Sequence, residues 1–275
     1  MLLWACSSEK ATDDNVYVVS IEPQRWILEQ LVDTGTVIET MLQRGADPET
    51  FEPTINQRRR LAGSRIYFAT GALPFEETIQ EAAECVYINT SEGISPIYGT
   101  HSHSHNHVGH HHHGNEMPDP HVWTSVSGAR QIARNMAKAL MEETPDDTAK
   151  INERLARFES RLNTIDSMAA AKLVGAKSKA FAIWHPSLSY LARDYGLHQI
   201  SVGMESKEMS ARQVREVIDH ALADSVRVFF MQKEYDTRQA ATINEALGSR
   251  LVTIDPLSYD WERQITLIID ELSGS

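Results

Sequence analysis

Short apolar runs alternate along this chain with stretches in which apolar residues recur every three or four positions, the pattern of strands feeding into helices. Val16 to Ile21 is a β-rich run, and Pro23 to Val32 opens on a proline and places Trp26, Ile27, Leu31 and Val32 at helical spacing. Thr36 to Leu42 predicts the next strand, Thr54 to Gly63 a helix that is basic on one side, and Arg65 to Ala69 a third strand. Pro74 to Ala83 then reads as a helix, Val86 to Asn89 as a strand, and Ser125 to Glu143 as a helix built on Ile132, Met136 and Leu140. Strands that alternate with helices predict a parallel sheet covered on both faces.

A longer pattern follows. Pro145-Asp146-Asp147 resembles a helix start, and from there to about Leu173 the chain is almost free of breakers, with Ile151, Leu155, Phe158, Leu162, Ile165 and Met168 every three or four residues. Such a helix spans on the order of 40 Å, the length of a domain, and suits a strut between two lobes. Alternation then resumes, with strands at Ala180 to Trp184, Gln199 to Val202, Val226 to Met231 and Leu251 to Ile254. The helices between and after them are Ser187 to Tyr195, Ala211 to Ala223, Thr237 to Leu247 and Asp260 to Leu272. The predicted fold class is α/β, with two lobes, each a mainly parallel sheet flanked by helices. A first lobe over 16–143, a linking helix over 144–176 and a second lobe over 177–275 are expected.

Composition narrows the function. The 275 residues carry 26 Lys plus Arg against 38 Asp plus Glu, and a formal charge of −12 repels phosphate backbones and favours cations. Nucleic acid is therefore not an expected partner. No stretch approaches the roughly 20 apolar residues of a membrane-spanning helix. Two cysteines cannot make a disulfide framework, and Cys85, within the strand-like Glu84 to Ile88, reads as a small buried hydrophobe without a role. Leu3-Trp4-Ala5-Cys6 resembles a bacterial lipobox, which makes Cys6 the expected lipidation site and residues 1–15 a signal remnant and tether.

The histidines are unevenly spread: eight of the twelve lie between positions 101 and 113, namely His101, His103, His105, His107, His110, His111, His112 and His113. They sit among glycines and serines in an expected loop over 100–117, an accessory tract for capturing metal.

Open α/β sheets bind ligands beyond the carboxyl ends of their strands, which directs attention to His185 after the Ala180 to Trp184 strand and Asp255 after Leu251 to Ile254. His121, in Asp119-Pro120-His121-Val122-Trp123, and Glu49, in the Gly45 to Pro53 segment, complete a set of two imidazoles and two carboxylates suited to a divalent transition metal. Taken singly the signals are weak, since a histidine after a strand is more often a hydrogen-bonded core residue, and Asp255 before Pro256 is also a turn starter.

In order along the chain, these motifs resemble the zinc and manganese substrate-binding proteins of bacterial ABC transporters. Gly45 to Pro53 is similar to that family's Gly-x-Asp-Pro-His-x-Phe-Glu-Pro, and Asp119 to Trp123 matches its Asp-Pro-His-x-Trp in full. His185 to Tyr190 with Tyr195-Gly196-Leu197, the Glu205 to Ser210 segment and Asp255-Pro256-Leu257 fit as well. The resemblance implies a metal in the cleft between the lobes held by His121, His185 and Asp255, with Glu49 standing where the family has its first histidine. Carboxylate in place of imidazole makes a harder site, less biased against manganese or iron(II), whereas a histidine-rich loop at this place is a mark of zinc-selecting members. The reading is therefore an extracytoplasmic, lipid-anchored monomer that captures Zn²⁺ for an ABC permease, with Mn²⁺ or Fe²⁺ as the alternative cargo. Two rivals are weaker. A metal-dependent hydrolase needs a His-Glu-x-x-His, a separate general base or a Gly-x-Ser-x-Gly, none of which the sequence carries, and no segment encodes the partner surface of an adhesin. No turnover is expected.

Overall fold

The computed structural model describes residues 16–48, 50–80, 85–98, 118–203, 209–233 and 238–274. Strands β1 (Val16–Val19), β2 (Val37–Thr40), β3 (Ile66–Ala69) and β4 (Val86–Asn89) pair in parallel in the order β2-β1-β3-β4. Their helices are α1 (Glu22–Glu29), α2 (Ile55–Ala62) and α3 (Pro74–Gln80). A 3-10 turn at Val122–Thr124 leads into α4 (Val126–Glu143), and another at Pro145–Asp147 starts α5 (Thr148–Val174). The second sheet repeats the topology of the first: β5 (Ala180–Ile183), β6 (His198–Ser201), β7 (Val228–Gln232) and β8 (Arg250–Ile254) are parallel in the order β6-β5-β7-β8. Helices α6 (Ser189–Tyr195), α7 (Ala211–Ala223), α8 (Arg238–Leu247) and α9 (Trp261–Ser273) complete it.

The expected α/β architecture of two parallel sheets and one long helix is what the chain forms, with most element ends displaced by one or two residues. Alternation along the strands sorts their side chains onto two faces. Phe181 and Ile183 of β5 and Phe230 of β7 join a core that also holds the first sheet, α4, α5 and α9. Ala180, Ala182 and Phe229 point the other way, into a separate cluster with Ile243 and Leu247 of α8. Phe158, Leu162, Ile165, Ala169 and Leu173 of α5 are buried in the shared core, so the 27-residue helix is a packed strut.

The last helix returns to the first lobe. Trp261 of α9 stacks on Trp26 of α1 with centroids 5.3 Å apart, and Phe158 of α5 meets Trp26 edge-on at 5.4 Å. Each such side chain is worth about 1.5–3 kcal/mol when buried, so swinging the lobes widely apart exposes a costly apolar seam. This packing supports modest lobe motion.

At the carboxyl ends of β1 and β3 lies a buried polar knot. Glu76, 2% exposed, accepts the peptide N–H groups of Thr70 at 2.7 Å, Gly71 at 2.8 Å, Ala72 at 3.1 Å and Leu73 at 3.2 Å, and also the hydroxyls of Ser20 and Thr70. Gln24 ties the neighbouring Ser20 and Ile21 peptides to Thr90 beyond β4. The knot fixes the rim of the first sheet.

Candidate metal centre

In both sheets the chain order reverses direction beside the first strand, which opens a crevice at the carboxyl ends of β1/β3 and of β5/β7. His185 sits two residues beyond β5, in the second crevice, and Gln232 is the last residue of β7 beside it. Gln232, 3% exposed, grips the loop: its Oε1 accepts the His185 peptide N–H at 3.2 Å, and its Nε2 donates to the His185 carbonyl and to Ser187 Oγ at 2.8 Å. The imidazole thus stands on a backbone held from the neighbouring strand.

His121 arrives from the other lobe, at the entry to the Val122–Thr124 turn, where its carbonyl accepts the Thr124 hydroxyl at 2.8 Å. Asp119 Oδ1 accepts both the His121 peptide N–H at 2.9 Å and its ring Nδ1–H at 2.8 Å. That bond selects the tautomer whose Nε2 lone pair points onward, as a carboxylate on Nδ1 does for metal-bound histidines. Burial works to raise the Asp119 carboxyl, but the charge and hydrogen bonds of His121, with help from Ser189, outweigh it and hold the group below the usual carboxylate range.

The two imidazoles converge. Nε2 of His121 lies 3.3 Å from Nε2 of His185, with ring centroids 5.0 Å apart at 72°, and the residues are 4% and 7% exposed. Two nitrogens bound at about 2.0–2.1 Å to one tetrahedral zinc sit about 3.4 Å apart, a spacing compatible with the separation of this pair.

Asp255 follows directly on β8. Its Oδ1 accepts the Leu257 peptide N–H at 3.2 Å and its own peptide N–H donates to Gln264 at 3.1 Å, which leaves the second carboxylate oxygen outside these bonds. The loop after β8 is joined to the His121 turn, because Trp123 Nε1 donates to the Pro256 carbonyl at 2.8 Å and Trp261 Nε1 donates to the Trp123 carbonyl at 2.6 Å. Among the described residues no group of three or more His, Cys, Asp or Glu side chains is placed to hold a metal ion, so no third such side chain joins His121 and His185. The structure therefore brings together His121 and His185, with Asp255 in the loop joined to the His121 turn. Glu49, Glu205, Cys6 and the histidines from His101 to His113 lie outside the described residues.

Further bonds sew the lobes at this level: Tyr190 of α6 donates to the Asp119 carbonyl at 2.8 Å, and Arg193 reaches the Ser95 carbonyl at 2.9 Å. Asp119 and Gln232 are supporting residues that the expected ligand set did not include. Asp119 was signalled by its place two residues before His121, and Gln232 by following directly on the predicted strand ending at Met231.

The family model described as zinc-uptake complex component A, periplasmic, matches residues 18–268. The chain belongs to this family. It is similar to a solved ZnuA deletion mutant with zinc bound, at 27% identity and a TM-score of 0.82, over 95% of this chain and 97% of that one. Among curated proteins it is 23% identical over 271 residues to the zinc-binding lipoprotein AdcA of Streptococcus pneumoniae, covering 94% of this chain and 53% of the relative. The high-affinity zinc uptake system protein ZnuA of Bacillus subtilis is also 23% identical over 271 residues, covering 94% and 85%. The chain thus spans about half the length of the AdcA relatives it matches.

Proposed function

We propose that this chain captures Zn²⁺ outside the cytoplasmic membrane and presents it to the membrane permease of an ABC transporter. The observation that carries the reading is the 3.3 Å approach of the His121 and His185 Nε2 atoms across the lobes, with His121 oriented by a buried carboxylate. His121 and His185 supply two nitrogen ligands, and Asp255 and Glu49 the carboxylate ligands. The family and the zinc-bound relative support zinc as the cargo.

Capture needs neutral imidazole, and metal binding displaces any proton held there. Release is therefore favoured by acid and by any motion that draws His121 away from His185. Residues His101 to His113 act as a collecting tract of soft nitrogen ligands that raises the local zinc concentration. Cys6 is the lipid attachment point that keeps the monomer near its permease. The test is growth on limiting zinc of a bacterium whose own zinc-binding uptake component is deleted. This chain should restore growth, and His121→Ala and His185→Ala should not; equal rescue by either variant contradicts the assignment.

A second reading is favoured by one feature, Glu49 in place of the family's histidine. An anionic oxygen in that position hardens the site toward manganese or iron(II). Under this reading the cleft prefers Mn²⁺ when the histidine tract is removed, and the two metals separate the readings directly.

A further inference from the structure

Four of the twelve histidines lie outside the 101–113 tract, and they occur as two pairs. One pair is His121 with His185. The other is His198 with His220, at the opposite end of the second sheet: His198 opens β6, whereas the cleft lies at the carboxyl ends of the strands. Their ring centroids are 6.2 Å apart at 62°.

Asp224 completes this second cluster. Its Oδ2 accepts the Nδ1–H of His198 at 2.8 Å, while its peptide N–H donates to the His220 carbonyl at 3.1 Å as α7 ends. The His198 peptide N–H is anchored on the Lys179 carbonyl at 2.7 Å. Strand start and helix end are therefore both fixed, and only side-chain rotation is left to bring the rings closer. The arrangement repeats the logic of the cleft, where Asp119 holds His121 Nδ1 and turns Nε2 toward a second imidazole. Asp224 likewise leaves His198 Nε2 as the free lone pair, the orientation in which a carboxylate prepares histidine for a metal.

Two further features suit a cation. His220 stands in the last turn of α7, a helix of 13 residues, and Asp224 caps it, so the site sits at the negative end of the helix dipole. The side chains are open to solvent, 58% for His198 and 32% for Asp224, so water can fill the remaining coordination positions. The ring spacing is 1.2 Å wider than in the cleft pair, and the His220 side chain is exposed.

We propose that His198, His220 and Asp224 form a second, solvent-exposed site for a divalent transition metal, zinc being the first candidate. His198 Nε2 and a ring nitrogen of His220 are the ligands, Asp224 is the orienting acceptor, and water occupies the other positions. With two protein ligands it binds more weakly than a four-ligand cleft and exchanges faster, which fits a site that fills only when zinc is abundant.

Residue-resolved labelling tests this on the full chain, because the histidine tract masks the site in any bulk titration. Histidines are carbethoxylated with diethyl pyrocarbonate at buffered free zinc from nanomolar to millimolar, and each His-containing peptide is quantified by mass spectrometry. Zinc in the micromolar range should protect His198 and His220 together. In His220→Ala the zinc needed to half-protect His198 should rise at least tenfold, and in Asp224→Asn several-fold. Labelling of His198 that does not respond to zinc below millimolar, or protection of His198 that survives unchanged in His220→Ala, overturns the proposal. Neither outcome depends on the cleft, whose histidines are read from separate peptides.

Discussion

Replacing Gln232 by Met tests whether a residue that never touches the metal sets the cleft's affinity. Methionine keeps the length and apolar bulk of the side chain but removes every bond it makes to the His185 loop. The His185 carbonyl keeps one donor, the Ser187 peptide N–H at 2.8 Å, so the loss falls on the His185 N–H and on Ser187 Oγ. A buried donor left without its acceptor costs about 1–3 kcal/mol, and the second lost bond adds about 0.5–1.5, so a destabilisation of about 1.5–4.5 kcal/mol is expected. Loosening a ligand's support costs roughly 10–100-fold in metal affinity, or about 1.4–2.7 kcal/mol. Urea unfolding of the metal-free protein measures the first figure. Chelator competition for zinc, in protein lacking residues 101–113, measures the second. A variant that loses stability but keeps zinc affinity within twofold refutes the positioning role of Gln232, because the loop would then hold His185 without it.

Other expectations follow from the same contacts. In Gly128→Ala the added methyl would lie 1.9 Å from the Val122 carbonyl oxygen, so the turn behind His121 must open; a loss of at least about 2 kcal/mol in unfolding free energy is expected, with weaker zinc binding, and an unchanged protein contradicts the packing. Burial raises the Glu76 carboxyl above its usual range, against the hydrogen bonds from Ser20, Thr70 and Leu73. A raised folded-state value means that the stability linked to its protonation is complete below the unfolded carboxyl range and is lost as pH rises through the folded value. Glu76→Gln should flatten that part of the pH profile of thermal unfolding, and an identical slope in both proteins refutes the linkage. Zinc affinity should fall by at least tenfold between about pH 8 and 5, since protons compete for His121 and His185; flat affinity by chelator competition argues against histidine ligands.

Much of the fold was legible because each strand is a short apolar run and each helix an apolar stripe, so period alone separates them. The long α5 was legible for the same reason, Ile151 through Met168 being an unbroken stripe. What faces what was not. The stripe of α9 shows that Trp261 is buried, but its stacking on Trp26 depends on how the chain returns to the first lobe, and no local pattern encodes that. At the cleft, His185 and Asp255 stand out by position after strands and His121 by the Asp-Pro-His-x-Trp motif, whereas the supporting residues do not stand out. Asp119 and Gln232 act through hydrogen bonds across 2 and 47 positions, which only the folded backbone brings together. The His198 and His220 pair is hidden in the same way: 22 residues separate them, and it is the pairing of β6 with β5, and the end of α7, that make them neighbours.

The central claim is that the inter-lobe cleft itself is a zinc site. Its most direct test is the zinc and manganese stoichiometry and affinity, by competition calorimetry, of protein lacking residues 101–113, alone and carrying His121→Ala or His185→Ala. The account predicts one tight zinc site that manganese does not displace, lost in both variants. Loss of all tight zinc binding with the tract, or tight binding that survives both substitutions, would contradict it.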